Sequence, residues 1–142
     1  MKYTLSFLLL TMLSFSLNAQ DLIGKWKTID DETGKAKSIV EISLQDGVYV
    51  GTIVELFRSP EEDQDPICNS CTDDRKDQKI KGMQIVRGME KDDDEFKDGT
   101  ICDPKNGKIY ECKMWIEDDP NVLFVRGYVA FFFRTQEWIR VK

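Results

Sequence analysis

Apolar and polar side chains alternate along much of the chain with the two-residue period of β-strands. Between Ala36 and Gln45, for example, Val40, Ile42 and Leu44 point to one face, because successive side chains of a strand face opposite ways. Similar segments recur between clusters of turn residues. The pattern predicts eight strands and no helix. The predicted strands cover residues 22–29, 36–45, 48–57, 80–88, 95–102, 109–116, 122–130 and 132–141.

The connections between these strands are mostly short turns. Asp46-Gly47 suits a two-residue hairpin turn with positive φ angles, and residues 103–108 and 117–121 form two more polar turns. The one long connection is the polar segment at residues 58–78. Hairpin-length connections favour a single antiparallel up-and-down barrel over the crossing connections of a Greek-key sandwich. Eight strands enclose room for packed side chains or for one small ligand.

The first residues have the pattern of an export signal. A lysine precedes an apolar run over residues 5–15, and Ala19 is a small residue at the expected cleavage site. The run is shorter than the roughly 20 residues of a membrane-spanning helix. We therefore predict a cleaved signal peptide at residues 1–19 and a single domain at residues 20–142. This domain would be exported to the periplasm or the extracellular space, with no stable membrane insertion after cleavage.

Charge and composition argue against several classes of function. The net charge is −6, or −7 once the lysine of the leader is removed. An acidic chain without a basic stripe argues against a nucleic-acid partner. The chain contains no histidine, so it lacks the commonest general base and metal ligand. We predict no catalytic residue, no cofactor and no metal site. The oligomeric state stays open.

Acidic clusters raise two further hypotheses. They lie at residues 61–65, 92–95 and 118–119, and none has the alternating ligand positions of a calcium loop. Charged runs at hairpin tips are typical of solvated turns. A carboxylate-based glycosidase needs a defined acid and base, and no residue stands out for either role. An enzyme of this kind is therefore the least favoured alternative.

The chain has four cysteines, Cys68, Cys71, Cys102 and Cys112. In an exported protein an even number of cysteines indicates disulfides. Three pairings are open, and Cys68–Cys71 with Cys102–Cys112 needs the least chain travel. Complete pairing would leave no free thiol. A redox site or a zinc site is less favoured, because the flanking segment is an acidic loop rather than a helix N-terminus and the second pair is widely spaced.

The second disulfide depends on the turn between its cysteines. A loop over residues 104–108 with a glycine bulge would bring Cys102 and Cys112 to one face of the hairpin. A two-residue turn at Asn106-Gly107 would place them on opposite faces, where they could not bond.

Trp26 lies near the start of the first strand and so at one end of the predicted barrel. A large planar ring there can close the end against water, and an arginine of the last strand can lie across its face. Arg134 and Arg140 both belong to that strand, and Arg140 is the preferred partner. The alternative is that Trp26 is an ordinary core aromatic.

Several segments together resemble an exported bacterial family, domain of unknown function 2147. They are GKW at 24–26, IKGM at 80–83, GTICDPKNGKIY at 99–110, VRGY at 125–128 and RTQEWIR at 134–140. The Gly-x-Trp step is also similar to the opening of lipocalins. The resemblance covers essentially the whole mature chain and implies a lipocalin-like barrel with an apolar ligand, but no known reaction. The chain departs from the family pattern at residues 131–133, where Phe-Phe-Phe stands in place of an expected glycine.

The predicted function is therefore binding of a small apolar or amphipathic molecule inside the barrel. Which set of residues on the seventh strand faces inward stays open: 124, 126 and 128, or 123, 125 and 129. An inward Arg126 would suit an acidic head group. The alternative is an envelope interaction or stress-related module with a filled barrel. The candidate ligand-binding or lid residues are Trp26, Tyr49, Phe124, Arg126, Tyr128, Trp138 and Arg140.

Overall fold

The structure, a computed structural model, describes residues 21–142 and contains eight β-strands. The strands are β1 (Gly24–Ile29), β2 (Ala36–Gln45), β3 (Val48–Leu56), β4 (Gln84–Asp92), β5 (Glu95–Asp103), β6 (Lys108–Ile116), β7 (Val122–Val129) and β8 (Phe132–Arg140). The predicted leader at residues 1–19 lies outside the described residues. Within the described part of the chain, no helix is long and apolar enough to cross a membrane.

The strands form a closed antiparallel barrel in chain order. Each strand pairs with the next, and β8 returns to pair with β1. At that seam Trp26 lies opposite Arg140 and Thr28 lies opposite Trp138. Closure leaves no unpaired sheet edge for another chain to extend. The predicted all-β, antiparallel up-and-down barrel of eight strands is confirmed.

Local turn chemistry accounts for the register of the β2–β3 hairpin. Asp46 and Gly47 have φ angles of 50° and 83°, as the predicted two-residue turn requires. This turn pairs Gln45 with Val48 and fixes which residues of both strands face the interior.

The largest difference from the predicted strands concerns β4. The sequence pattern places this strand at residues 80–88, whereas it runs from Gln84 to Asp92. The amide of Gly82 donates to the carbonyl of Ile53, and the amide of Ile53 donates to the carbonyl of Met83. Ile80 and Met83 therefore belong to the end of the preceding connection, where they are buried against β3. Their apolar spacing resembles that of a strand in the sequence. We call this connection, residues 57–83, the long loop.

The two ends of the barrel differ. The closed end carries the start of β1 and the β2–β3, β4–β5 and β6–β7 connections. Its interior is filled by large side chains that are at most 2% exposed: Leu22, Trp26, Met89, Phe96, Met114 and Leu123. The opposite end, which we call the mouth, carries the β1–β2 turn, the long loop and the β5–β6 and β7–β8 hairpins. The core therefore lies towards the closed end.

Candidate functional site: a cavity at the barrel mouth

A cavity of about 720 Å³ occupies the mouth half of the barrel. Its walls come from all eight strands and from the long loop. Apolar side chains supply much of the lining, among them Ile53, Leu56, Ile80, Ile101, Val125 and Trp138. The cavity exists because large core residues gather at the closed end, while the mouth half carries smaller inward side chains such as Thr28, Ser38 and Gly127.

A few polar groups interrupt the apolar wall. The hydroxyl oxygens of Thr28 and Ser38 lie 2.7 Å apart and share a hydrogen bond, and both residues are buried. The indole Nε1 of Trp138 donates to Oε1 of Gln136 at 3.2 Å. These groups satisfy one another, so the wall presents little unpaired polarity to an occupant.

The rim of the cavity carries charges of both signs. Lys37 lies 3.9 Å from the carboxylate of Asp30, and Arg134 pairs with Asp31. Hydrogen bonds from the backbone amides of Thr33 and Glu32 hold the pKa of Asp30 below its usual value. The rim can therefore face a polar or charged group at the boundary with water.

Aromatic residues complete the rim on one side. The β7–β8 hairpin ends in Phe131, Phe132 and Phe133, which are 99%, 76% and 61% exposed. Phe132 and Phe133 line the cavity entrance. The entrance is thus bordered by an apolar tip.

Among the predicted site residues, Trp138 lies in the cavity wall. It is 1% exposed and lies opposite Thr28 at the mouth-side end of the β1–β8 seam. It is the only predicted ligand-binding residue that lines this cavity in the described chain.

Trp26 and Arg140 lie at the closed end, as the lid hypothesis expects. Trp26 is fully buried, and the guanidinium carbon of Arg140 lies 4.2 Å from the centre of its ring. The indole Nε1 of Trp26 donates to the carbonyl of Leu22 at 2.9 Å. Trp26 and Arg140 thus form a cover over one barrel end, and the cavity lies at the opposite end.

Arg140 also ties together the segments around that cover. Its Nη2 donates to the carbonyl of Asp21 at 3.0 Å, and its Nε donates to the carbonyl of Pro120 at 3.2 Å. It therefore joins the segment before β1 to the β6–β7 connection.

Phe124, Arg126 and Tyr128 do not line the cavity, contrary to the prediction. They alternate with Leu123 and Val125, which are buried in the core, so they lie on the outer face of β7. The inward set is the alternative one, at 123, 125 and 129.

The outer-face residues instead build a stack across three strands. The rings of Trp115 and Phe124 lie parallel with centres 5.4 Å apart. The guanidinium carbon of Arg126 lies 4.9 Å from the ring centre of Trp115 and 4.3 Å from that of Phe133. Arg126 thus holds an exterior aromatic cluster and is not available to a head group inside the barrel.

Tyr49 belongs to the closed end. Its ring packs edge-on against Phe96 with centres 5.0 Å apart. It also borders a depression between the β2–β3 and β4–β5 hairpins, where Glu90, Lys91 and Asp92 face solvent. This depression is mainly charged, and Tyr49 does not reach the mouth cavity.

The cysteines follow the predicted pairing only in part. Cys68 and Cys71 form a disulfide, whereas Cys102 and Cys112 are buried free thiols. Cys112 lies opposite Gly99, three residues from Cys102, so the two thiols are on opposite faces of the β5–β6 hairpin. The predicted Cys102–Cys112 bond is therefore wrong. Burial raises the pKa of Cys112 to about 12.

Sequence reasoning missed most of the cavity wall, including Ile101, Tyr110 and Gly127. All three lie in the quoted family segments, but their inward direction depends on strand register. In residues 21–142, no cluster of three or more acidic, cysteine or histidine side chains is placed to hold a metal ion.

Comparisons with known proteins agree with this architecture. The profile of a family described as uncharacterized protein conserved in bacteria, DUF2147, matches residues 24–140. Among solved structures, HP1028 from Helicobacter pylori, described as belonging to the lipocalin family, superposes with a TM-score of 0.71. The two share 16% sequence identity over 86% of this chain and 84% of that one, which shows a common fold. No curated protein matches the chain significantly.

Proposed function

The chain belongs to the uncharacterised bacterial family DUF2147, and we propose that it binds a small apolar or amphipathic molecule in the mouth cavity. The observation that carries this proposal is the cavity itself. Its volume of about 720 Å³ and its largely apolar wall fall in the range typical of small-molecule sites.

The arrangement of the cavity favours an amphipathic ligand with its tail inward. The apolar tail would lie against Ile53, Ile101 and Val125, displacing water from their surfaces. The polar end would remain at the charged rim, near Lys37 and Arg134. The Trp26–Arg140 cover closes the far end, so the ligand would enter and leave by the mouth. The proposal includes no catalytic step.

The filled-barrel alternative, an envelope interaction module, is less well supported. The closed end of the barrel is packed with large side chains, whereas the mouth half encloses the cavity. A barrel built solely as a rigid scaffold would gain stability by filling the mouth half as well, because empty volume costs stability.

Calorimetric titration with dodecanoate and with dodecanol tests the proposal. Gly127→Leu adds a side chain to the cavity wall, since Gly127 lines the cavity and a Cβ there would lie 3.4 Å from Cβ of Tyr110, another lining residue. Glu137→Leu adds the same side chain to the outer face of β8 as a matched control. We expect wild type and Glu137→Leu to bind with a negative heat-capacity change.

The two variants give the deciding comparison. Gly127→Leu should weaken binding by about tenfold or more, equivalent to about 1.4 kcal/mol. Equal affinity in both variants, or no binding of either probe by the wild-type protein, would contradict the proposed site.

We also propose that the protein is exported. The leader pattern at residues 1–19 motivates this, and the Cys68–Cys71 disulfide is typical of an oxidising compartment. Protein isolated from the cell envelope or medium should begin at Gln20 on N-terminal sequencing. Intact Met1 on cytoplasmic protein would overturn the proposal.

A further inference from the structure

Three of the four cysteines meet where the long loop covers the turn end of the β5–β6 hairpin. Sγ of Cys102 lies 4.0 Å from Sγ of Cys71, which is already bonded to Cys68. The two sulfur atoms are in van der Waals contact. Cys71 therefore has a second sulfur neighbour 31 residues away in the chain.

The scaffold holds these sulfurs in place from both sides. The amide of Cys68 donates to the carbonyl of Gln78, and the amide of Asp77 donates to the carbonyl of Cys68, so the loop is internally bonded. On the hairpin side, a Cβ at Gly107 would lie 2.0 Å from the carbonyl oxygen of Ser70. Only glycine allows the hairpin to approach the loop this closely.

A buried cation lies beside the free thiol. Arg75 is 3% exposed; its Nε donates to the carbonyl of Gln84 at 2.9 Å, and its Nη1 pairs with Asp73 at 3.1 Å. Burial raises the pKa of Cys102, and the neighbouring carboxylates of Asp73 and Asp103 act in the same direction. The Arg75 guanidinium opposes this rise by stabilising the thiolate. Arg87, paired with Asp74, adds a second cation nearby.

We propose that Cys68, Cys71 and Cys102 form an internal thiol–disulfide exchange site, with Cys102 as the nucleophile. The Cys102 thiol loses its proton to solvent, and its thiolate attacks Sγ of Cys71. The Cys71–Cys102 bond forms as the Cys68–Cys71 bond breaks, and Cys68 leaves as a thiolate that takes up a proton. One disulfide and two thiols exist before and after, so no oxidant or reductant is consumed.

The leaving sulfur already has a partner. Sγ of Cys68 lies 3.4 Å from the carbonyl oxygen of Pro104. A disulfide sulfur cannot donate a hydrogen bond, but the released Cys68 thiol can donate to this oxygen. The product state therefore does not leave an unpaired thiol in the interior.

The exchange changes which segments of the chain the disulfide joins. Cys68–Cys71 closes only a short turn within the long loop, whereas Cys71–Cys102 joins the loop to β5. Asn69, between the two loop cysteines, lines the mouth cavity. The exchanged form is thus a second covalent state in which one wall of the entrance is fixed to the barrel.

Disulfide mapping of the purified wild-type protein tests this site. The native protein is incubated at pH 8.5 without oxidant, acid-quenched, alkylated with a maleimide in denaturant at mildly acidic pH, and digested with trypsin. Cys68 and Cys71 share the peptide at 59–75, and Cys102 lies in the peptide at 98–105. We expect a disulfide-linked pair of these peptides with the alkyl group on Cys68.

Two variants identify the nucleophile. Cys102→Ser should abolish the linked pair and leave only the bond within the 59–75 peptide, whereas the matched control Cys112→Ser should retain the linked pair. A wild-type digest with Cys102 fully alkylated and no linked pair would overturn the proposal. So would a linked pair that contains Cys112 in place of Cys102.

Discussion

At the scale of single residues, the Trp26–Arg140 contact closes one end of the barrel. Trp26 fills the interior while Arg140 lies over its ring and bonds three backbone carbonyls around it. Replacing Trp26 with Ala should lower the free energy of unfolding by about 3–5 kcal/mol, because it empties a large buried volume. Arg140→Ala should cost less, about 0.5–2 kcal/mol for the cation–π contact. Denaturant titration measures both changes.

A double-mutant cycle measures the energetic coupling between Trp26 and Arg140. The two losses should be non-additive by at least about 0.5 kcal/mol, since contacting residues couple. Arg126→Ala provides the matched control, because Arg126 also covers aromatic rings but lies on the outer face of β7. It should be additive with Trp26→Ala. Additive losses in the Arg140 cycle would show that Trp26 is an ordinary core residue without a stabilising contact to Arg140.

The free thiols give a second prediction at this scale. The oxidised protein should be about 2 Da lighter than its fully reduced form, since one disulfide removes two hydrogens. Two thiols should react with a thiol reagent in denaturant. In the native state both should react slowly, because burial keeps the pKa of Cys102 and Cys112 raised and only the thiolate is nucleophilic. Finding no thiol in denaturant would contradict the pairing seen here.

At the scale of elements, the β7–β8 hairpin combines strain with an apolar tip. Ala130 has a φ angle of 49°, a left-handed conformation that costs an L-residue about 1–2 kcal/mol. Ala130→Gly should therefore raise the free energy of unfolding by about 1 kcal/mol. Ala36→Gly is the matched control: Ala36 begins β2, and glycine in a strand should destabilise. Thermal unfolding measures the stability of both variants. If Ala130→Gly were also destabilised, Ala130 would not be strained.

The strand elements were largely predictable from the sequence, whereas their facing was not. The bounds of β2 follow from its alternation and the Asp46-Gly47 turn. In β7, apolar residues occupy both faces, so periodicity cannot separate Phe124 and Tyr128 from Leu123 and Val125. Only the pairing of β7 with β6 and β8 decides this, because the stacking of Phe124 on Trp115 is a cross-strand contact.

The prediction of a Cys102–Cys112 bond was wrong for a related reason. The sequence indicates how far Cys102 is from Cys112 but not that the long loop carries Cys71 onto the hairpin. The hairpin register, with Asp103 opposite Lys108, places Cys102 and Cys112 on opposite faces. Tertiary approach of a loop to a strand leaves no periodic signal in the chain.

At the scale of the whole molecule, the barrel is divided into a packed half and a hollow half. Large side chains gather beneath the Trp26–Arg140 cover, and the mouth half encloses the cavity beside Trp138. Family resemblance predicted the lipocalin-like fold, and the cavity gives the fold a place for a ligand. We expect an amphipathic molecule to occupy this cavity rather than the exposed apolar tip.

Tryptophan quenching by a bromine-labelled dodecanoate measures where such a molecule binds. The three tryptophans report different places: Trp138 lies in the cavity wall, Trp26 under the closed end and Trp115 on the outer face. With the bromine near the end of the acyl chain, quenching should saturate in the wild type and in Trp115→Phe and should be lost in Trp138→Phe. Saturable quenching that persists in Trp138→Phe and disappears in Trp115→Phe would place the ligand on the outer surface and contradict a binding site inside the barrel.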